Sequence, residues 1–583
     1  MLNLIRAVIV ASLILALSMH ASFSQAVYGQ EVSNSKVALD KVQSFSRVGE
    51  FTRAFQEIAN VEDAALRDEG HSSIARMQMK AGLIQAAVET ASYIEDDVNR
   101  SELLSEAQTA RSKAPVARGG GVTPDFDQLI DLITTTVEPE SWEELGGPGS
   151  IAPFPTGVYV DSQGTLKRIT QLSNDSLLSD IHDTSKILSA NNDAAAESVL
   201  RKVSLTRLEK EAQLRWAIGR DPSDTMLNMA GIYEVKYLLV YPETGEIVIA
   251  GPAGPWHANA EGRHVNIATG RPVLQLDDLV VLLRNAIDEH GKFGCAITPT
   301  QQGLKSAQEY IDVTSAKPLH PRQRDQWLKG LQAAVGKQDI TVHGVNPDTR
   351  VGQIIVEADY HMKRIGMGLE DGTAGVPSYL EMVTIPPGGS PPPMDVLRWW
   401  FTLDYRNISV TKERDAFALQ GPGVKVLSEN EHLDAQGQRI HTNTSTALNA
   451  TFARNFSTNY ASLAVKYPIY AELKNVFDLA MITSLIEKER LADQVGWNLT
   501  HFGPDGGYQV ATGSAPKVVD SIMNMRIIDK KHIIAGVSGG VNFDPSEMLT
   551  DEKMSVDEYG LMTADHKSGN VPQTIKHHGW WWD

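Results

Sequence analysis

Val351-Gly-Gln-Ile-Ile-Val-Glu-Ala-Asp-Tyr-His-Met-Lys-Arg-Ile-Gly-Met-Gly-Leu369 is the stretch that decides the fold class. Apolar side chains recur along it at the three- and four-residue spacing of one helix face, namely Ile355, Ala358, Met362, Ile365 and Leu369. Residues 293–298 and 340–345, which precede it, are apolar runs with the length of strands. Helices that alternate with strands in this way predict a mixed α/β or α+β body.

We predict that this body spans residues 231–430. Within it, residues 237–241 and 247–250 are short apolar runs joined by a turn that contains proline and glycine, which predicts a hairpin. Residues 440–545 predict a helical pair followed by closing strands. Residues 546–583 predict a polar tail that is loosely ordered until its terminal tryptophans. The expected fold is therefore a multidomain chain of mixed α/β class.

The bulk composition excludes some classes of function. The chain has 583 residues and a net charge of −19, and a surface of this sign repels phosphate backbones and anionic lipid headgroups. We therefore expect no nucleic-acid partner. Cys295 is the only cysteine, so an intramolecular disulfide is excluded, and stability must come from the burial of apolar surface.

The first 26 residues have the layout of a secretory signal peptide. Arg6 supplies a positive charge, residues 7–18 form a short apolar run, and Ser24 and Ala26 place small residues just before a cut. A cut after Ala21 and retention of the segment as an anchor are the alternatives. A membrane span needs about 20 apolar residues, and neither this run nor any later stretch reaches that length. We predict a periplasmic or extracellular protein with no transmembrane segment in its mature chain.

Residues 35–115 predict a helical repeat. Gly49 and Gly82 stand 33 residues apart. The residues that follow them correspond in pairs: Ala54 with Ala87, Phe55 with Val88, Val61 with Ile94, Asp63 with Asp96, and Arg67 with Arg100. Such a period is typical of stacked helical hairpins, and the segment resembles tetratricopeptide-like repeats. It is interpreted either as a helical spacer, which we favour, or as a peptide-docking scaffold.

Residues 116–123 predict a glycine-rich linker, and residues 124–170 predict a small α+β module. In this module, Leu129-Ile-Asp-Leu-Ile133 and Trp142-Glu-Glu-Leu-Gly-Gly-Pro-Gly149 resemble a short module of planctomycete proteins related to secretins, which build outer-membrane channels. The resemblance implies a module of the kind that stacks into rings. The strand-rich channel region does not follow it, so a pore-forming role does not carry over. Residues 172–220 predict a helical segment.

Several strings across residues 200–545 resemble a family of exported planctomycete proteins that carry the domain of unknown function 1598. The strings are Ala250-Gly-Pro-Ala-Gly-Pro-Trp256, Thr269-Gly-Arg-Pro-Val273, Cys295-Ala-Ile-Thr-Pro-Thr300, Glu357-Ala-Asp-Tyr-His-Met-Lys-Arg364 and Tyr467-Pro-Ile-Tyr-Ala-Glu-Leu473. The resemblance implies an exported protein. It implies no activity, because none is assigned to the family.

Gly536-Val-Ser538-Gly-Gly540 fits the G-x-S-x-G pattern of a serine nucleophile elbow. Such an elbow needs a strand before the serine and a helix directly after it. Residues 541–545 have the pattern of extended chain, so we interpret the motif as a glycine-rich strand turn. An exported serine hydrolase that uses Ser538 is the alternative.

Two other clusters carry charged or metal-binding side chains. Asp359, His361, Lys363 and Arg364 lie on one predicted helix, where we expect a solvated charged face, with Asp359 and Lys363 at ion-pair spacing. The histidine pair at 577 and 578 stands beside three tryptophans, which favours a docking terminus over a metal site. We predict no metal site and no cofactor.

The loop at residues 250–256 is a further candidate. Its small residues allow close approach of the backbone, and Trp256 offers stacking area, so a small-ligand-binding protein is a third interpretation. A plain strand-exit loop is favoured there. The leading hypothesis is an exported, non-enzymatic scaffold with protein partners in the cell envelope. It has no predicted catalytic residues, and its binding residues, its oligomeric state and the identity of its partners stay open.

Overall fold

The computed structural model describes most of the chain after its first 35 residues. The described residues are 36–47, 51–61, 63–81, 83–113, 150–154, 157–161, 167–170, 194–259, 262–314, 323–385, 395–433, 439–528, 531–558, 560–572, 575 and 578–583. The predicted signal peptide, the glycine-rich linker and the helical half of the module at 124–170 lie outside these residues.

Helices and strands alternate along the described chain. The helices are α1 (36–47), α2 (Phe51–Ile58), α3 (Ala64–Lys80), α4 (Ile84–Ala91), α5 (Asp97–Lys113), α6 (Leu205–Ala217), α7 (Asp224–Leu227), α8 (Leu276–Asp288), α9 (Gln301–Thr314), α10 (Arg324–Val335), α11 (Arg350–Gly366), α12 (Tyr379–Met382), α13 (Ala447–Thr458), α14 (Tyr460–Lys466), α15 (Pro468–Lys488), α16 (Leu491–Gln494) and α17 (Leu561–Ser568). Short 3₁₀ helices lie at Met229–Gly231, Pro545–Glu547 and Asp551–Lys553.

The strands form two large sheets and two small ones. They are β1 (Ser150–Phe154), β2 (Gly157–Asp161), β3 (Lys167–Thr170), β4 (Ser198–Ser204), β5 (Tyr237–Tyr241), β6 (Glu246–Ala253), β7 (Trp256–Ala258), β8 (His264–Asn266), β9 (Phe293–Pro299), β10 (Lys337–His343), β11 (Asp395–Asp404), β12 (Asn407–Val410), β13 (Ala416–Gln420), β14 (Gly423–Leu433), β15 (Arg439–His441), β16 (Val518–Asp520), β17 (Met523–Ile528), β18 (Lys531–Phe543), β19 (Met554–Val556) and β20 (Trp581–Trp582). The mixed α/β class is thereby confirmed.

The N-terminal helices repeat the same local contacts with the period seen in the sequence. The guanidinium of Arg67 donates to the Val61 carbonyl at 3.3 Å, and that of Arg100 donates to the Ile94 carbonyl at 3.1 Å. Asp63 accepts a hydrogen bond from the Leu66 N–H at the start of α3, as Asp96 does from Asn99 near the start of α5. A carboxylate in this position satisfies an N–H group that the helix itself leaves without a partner. The predicted helical repeat is therefore present.

The larger of the two main sheets has eight strands in the order β15-β14-β11-β18-β9-β10-β16, with β17 paired to β18. The central strand β18 runs parallel to β11 and antiparallel to β9. Helix α11 lies across β18 and β9, and it packs in turn on α15. The Thr349 hydroxyl caps the start of α11 by accepting from the Gly352 N–H at 3.3 Å.

The other main sheet has seven strands in the order β19-β12-β13-β5-β6-β4-β20. One apolar core joins the two sheets, with contributions from α8, α11 and α15. A second cluster, on the β5–β6 hairpin, includes Met562 of α17 and Trp582 of β20. The hairpin predicted at residues 237–250 is confirmed by the antiparallel pairing of β5 with β6. No described helix is long and apolar enough to cross a membrane.

Two parts of the chain differ from the sequence expectations. Within the segment predicted to be helical at 172–220, residues 198–204 form the strand β4, and only the part from Leu205 is helical. The polar tail is more ordered than expected, because β19 and β20 each add to an edge of the seven-stranded sheet. Trp580, Trp581 and Trp582 are 6%, 6% and 3% exposed, and burial of their large apolar surface explains why the tail folds back.

Candidate functional site

The outer face of the eight-stranded sheet carries a row of polar side chains. Glu429 and Glu431 stand two positions apart on β14, and alternation along a strand turns both to the same face. The register places His441 of β15 opposite Glu431. Arg398 of β11 lies opposite Glu429, and Ser538 of β18 lies opposite Arg398. Four strands therefore bring five polar side chains together.

The centre of this cluster is the His441 ring. Its Nδ1 atom lies 3.3 Å from Glu429 Oε2 and 3.1 Å from Glu431 Oε1. One potential ligand atom from each of the three residues lies within 4.8 Å of the others. The two glutamate side chains are 5% and 0% exposed, whereas the histidine side chain is 50% exposed. The cluster is therefore closed towards the sheet and open to solvent on the histidine side.

Glu429 is held as a carboxylate by its donors. Burial alone would raise its pKa, but hydrogen bonds from the Asn443 N–H, Arg398 and His441 outweigh burial and leave the pKa of Glu429 below its usual value. The Asn443 N–H lies 2.7 Å from Oε1, and Arg398 Nη1 lies 2.9 Å from Oε2. The Arg398 guanidinium also stacks over the Trp400 ring at 4.5 Å.

Ser538 is not placed as a nucleophile. Its side chain is fully buried, and its hydroxyl donates to Glu431 Oε2 at 3.1 Å and to the Leu397 carbonyl at 3.4 Å. An activated serine must instead donate to a general base such as an imidazole, and an elbow must pass directly into a helix. β18 continues through Ser538 to Phe543 as one strand. The motif is therefore neither an elbow nor the strand turn that we expected.

Asp359 and Lys363 of α11 are buried, whereas Arg364 is partly exposed, so the expected solvated face is contradicted for the ion pair. Lys363 Nζ lies 2.6 Å from Asp359 Oδ2, and neither side chain is exposed. The i, i+4 pairing is the one that the sequence predicts. Burial raises the pKa of Asp359, and the charge of Lys363 opposes that shift. The pair is covered by the sheet because α11 packs against the strands β18 and β9.

His361, on the same helix, is also enclosed. Its Nδ1 lies 2.8 Å from the hydroxyl of Tyr470, and the Tyr467 ring packs edge-on at 4.4 Å. Burial lowers the pKa of His361 to about 4, helped by the nearby charges of Arg364, Arg263 and Lys466 and opposed by Glu370. A histidine with this pKa is neutral at physiological pH, and its role here is to pack against the two tyrosines and to hydrogen-bond with Tyr470.

A second polar network joins four elements and has no counterpart in the sequence analysis. Arg263 forms ion pairs with Glu357 and Glu472, and Arg350 forms ion pairs with Glu472 and Asp278. The network connects the segment before β8 to α11, α15 and α8. Its members come from distant parts of the chain, so no local spacing could have predicted it. Two arginines shared among three carboxylates hold the helices in register.

In the loop at residues 250–256, the tryptophan side chain contacts other residues of the protein. The Trp256 indole N–H donates to Asp224 Oδ2 at 3.1 Å. A Cβ atom built on Gly231 would lie 2.8 Å from the Trp256 ring, so the indole packs directly against that glycine. This contact accounts for the small residues nearby, and it leaves the ring less surface for a stacked ligand than the sequence suggests.

The histidine at the chain end connects two parts of the protein. His578 lies between Glu211 of α6 and Glu89 of α4, at 2.9 and 3.3 Å. Its hydrogen bond to Glu211 raises the pKa of His578 to about 9, with further support from Glu89 and opposition from burial. His577 lies outside the described residues. The terminus docks on the body through β20, as the tryptophans predict.

Glu429, Glu431 and His441 are not among the residues predicted from the sequence. Both glutamates lie in β14, which runs from Gly423 to Leu433. The signal that could have found them is the glutamate pair at strand spacing beside the Val424–Ser428 run. His441 could not be assigned to them without the register of β15.

Comparison with known protein families gives a match to one segment of the chain. Residues 295–379 match the family model described as "Protein of unknown function (DUF1598)". No curated protein and no solved structure gives a match to the chain. The matched segment runs from β9 through α11 to the start of α12 and contains Cys295, Asp359 and Lys363. The match supports the predicted resemblance to DUF1598 within residues 295–379, the part of the protein built around α11.

Proposed function

We propose that the protein is exported and acts in the cell envelope as a non-enzymatic scaffold for other proteins. The signal-peptide layout of residues 1–26 supports export, and the acidic net charge of −19 favours basic protein partners over nucleic acid. The resemblance to planctomycete exported proteins supports the same placement.

The observation that carries this proposal is the packing of the helical repeat against the body. Helix α5 packs on α6, and residues of both helices share one buried apolar cluster with α3 and α4. Leu103 and Leu104 of α5 and Ala217 of α6 are each at most 1% exposed in it. The Gln213 amide donates to the Ser101 hydroxyl at 2.8 Å across the same contact. A simple spacer needs no shared core, so this packing favours the docking interpretation of the repeat.

The repeat also offers a place for a partner. Tyr93 is 43% exposed and stacks on His71 at 5.6 Å, while Phe55 packs edge-on against it at 6.2 Å. Val98, which is 49% exposed, lies in the first turn of the next helix, α5. Aromatic side chains anchored on one side by buried neighbours are common centres of protein interfaces. We propose that a protein partner covers this patch, which we call the Tyr93 patch.

The segment at 124–170 adds a second argument for partners. Its described part, β1 to β3, forms an antiparallel three-stranded sheet. A small sheet fits the α+β module to which the sequence is similar, and modules of that kind act by assembly. We propose that this segment is related to the secretin-associated module and contributes a further protein contact.

Export is tested by fractionation of cells that express the native chain or a chain lacking residues 2–26. The native protein is expected outside the cytoplasm with a new N-terminus near Val27, and the truncated protein inside it. Intact native protein in the cytoplasm would contradict the placement.

The scaffold is tested by cross-linking in the native envelope, followed by purification and identification of the attached proteins. The Tyr93→Ala protein should lose at least one partner that the native protein captures. The matched control is Val465→Ala, since Val465 is 83% exposed on α14 and far from the Tyr93 patch in sequence. Identical partner sets for both variants would refute the role of the patch. Turnover of a defined substrate that a point substitution abolishes would refute the non-enzymatic proposal.

A further inference from the structure

We propose that Glu429, Glu431 and His441 bind one divalent transition-metal cation of the Zn²⁺ or Mn²⁺ kind. This site is independent of the scaffold proposal. It lies on the outer face of the eight-stranded sheet, at the β14–β15 end.

The spacing of the ligand atoms suits one ion. Tetrahedral ligands at about 2.1 Å from a metal stand about 3.4 Å apart. The distances from His441 Nδ1 to the two carboxylates are 3.3 and 3.1 Å, and the three ligand atoms all lie within 4.8 Å of one another. A small movement of the exposed imidazole would admit the ion between them. One imidazole and two carboxylates form a ligand set that suits Zn²⁺ and Mn²⁺.

The charge balance points the same way. Two carboxylates that are 5% and 0% exposed lie side by side here, and Arg398 lies 2.9 Å from Glu429. Buried charge is costly unless it is compensated. Arg398 lies against Glu429, and the Ser538 hydroxyl and His441 lie against Glu431. A cation bound between His441 and the two carboxylates would add positive charge beside this buried pair.

Hydrogen bonds around the cluster fix the directions of its two carboxylates, as they do around metal ligands in proteins. The Ser538 hydroxyl donates to Glu431, and the Asn443 N–H and Arg398 donate to Glu429, so both carboxylates are fixed in direction. Such outer hydrogen bonds typically orient metal ligands and tune their affinity. They also give Ser538 a role, since its full burial on β18 excludes direct attack on a substrate. The half-exposed His441 leaves an open side through which an ion and a water molecule can enter.

The alternative for the same three residues is a metal-free cluster in which a protonated His441 bridges the two carboxylates. The test is calorimetric titration of chelator-treated, full-length protein with ZnCl₂ and, separately, MnCl₂, together with metal analysis after gel filtration. Native protein should bind one equivalent of at least one of the two metals. Binding should also raise the unfolding temperature, because a ligand that binds only the folded state stabilises it.

Two ligand variants and three controls make the test specific. His441→Asn changes an exposed side chain and should fold normally, and Glu431→Gln keeps the shape of the carboxylate. Each is expected to weaken metal binding by at least about a hundredfold, which corresponds to about 2.7 kcal/mol. The controls Asp404→Asn, His257→Asn and His578→Gln remove potential ligands elsewhere and should bind as the native protein does. Absence of stoichiometric binding, unchanged binding by His441→Asn, or loss of binding in His578→Gln alone would overturn the proposal.

Discussion

Lys363 and Asp359 form an ion pair one helical turn apart in which neither side chain reaches solvent. Lys363 Nζ lies 2.6 Å from Asp359 Oδ2 and 3.4 Å from the Ile297 carbonyl of β9. A charge in such a place is tolerated only because its partner is there. The pair therefore ties the central helix of the DUF1598 segment to the sheet in one register.

Removal of one member of this pair should be costly. Lys363→Met leaves the Asp359 carboxylate buried without its cation, and we expect the free energy of unfolding to fall by about 3–5 kcal/mol. The double variant Asp359→Asn/Lys363→Met removes both charges and should lose less than the single variant. Urea denaturation measures both. Lys305→Met, at an exposed position of α9, is the control and should stay within about 0.5 kcal/mol of the native protein. A Lys363→Met protein as stable as the native one would contradict the argument.

The enclosed histidines should make the protein sensitive to acid. Burial, the largest cause in both cases, lowers the pKa of His361 and of His501 to about 4. Between about pH 6.5 and pH 4 the unfolded chain therefore binds protons that the folded chain does not, so stability is complete above pH 6.5 and falls as the pH falls towards 4. Unfolding free energies measured at intervals from pH 7 to pH 5 should show this slope.

The variant His361→Asn should make that slope shallower, because one group with a lowered pKa is gone. His257→Asn, at an exposed position of β7, serves as the control and should keep the native slope. Equal slopes for the native protein and His361→Asn would show that the pKa of His361 is the same in the folded and unfolded states, so that burial does not lower it.

His578 should act in the opposite direction, at alkaline pH. Its hydrogen bond to Glu211 raises the pKa of His578 to about 9, so the folded state binds a proton more tightly than the unfolded chain does. The resulting stabilisation is complete below about pH 6.5 and is lost as the pH rises through 9. Because the ring joins Glu211 of the body to Glu89 of the repeat, we expect the protection of the α4 amides, measured relative to their intrinsic exchange rates at each pH, to fall over that range. In His578→Gln the protection of α4 should be the same at pH 7 and pH 9, and a remaining fall would assign the effect to another group.

The repeat shows what the sequence can predict. The pairs Val61 with Ile94 and Arg67 with Arg100 were aligned by their period alone, and the structure gives both pairs the same arginine-to-carbonyl hydrogen bond. The contact is local, since donor and acceptor are six residues apart in each repeat. A periodic sequence therefore carries enough information to place such contacts.

The core of the body contains contacts that local sequence patterns do not predict. The spacing of Asp359 and Lys363 predicts their ion pair, but their burial depends on β9 and on β18, which lies about 180 residues further along the chain. The Glu429, Glu431 and His441 cluster likewise depends on the register of β14 with β15. Pairing of distant strands is a tertiary property, which neither periodicity nor residue type determines. The sequence therefore does not predict which strands lie next to each other in the sheet.

The glycines around Ser538 give a last prediction, because the structure assigns them different roles. A Cβ atom on Gly539 would lie 1.7 Å from the Trp399 carbonyl oxygen of the paired strand, whereas a Cβ atom on Gly536 would meet only the Met523 side chain at 3.4 Å. Gly539→Ala must push β11 and β18 apart, so we expect a loss of about 3 kcal/mol or more in chemical denaturation, up to failure to fold. Gly536→Ala should cost less than about 1 kcal/mol. If the motif served a reactive serine, the two substitutions would differ in their effect on activity and not in their effect on stability. Similar stabilities of Gly539→Ala and Gly536→Ala would therefore refute the packing role assigned to Gly539.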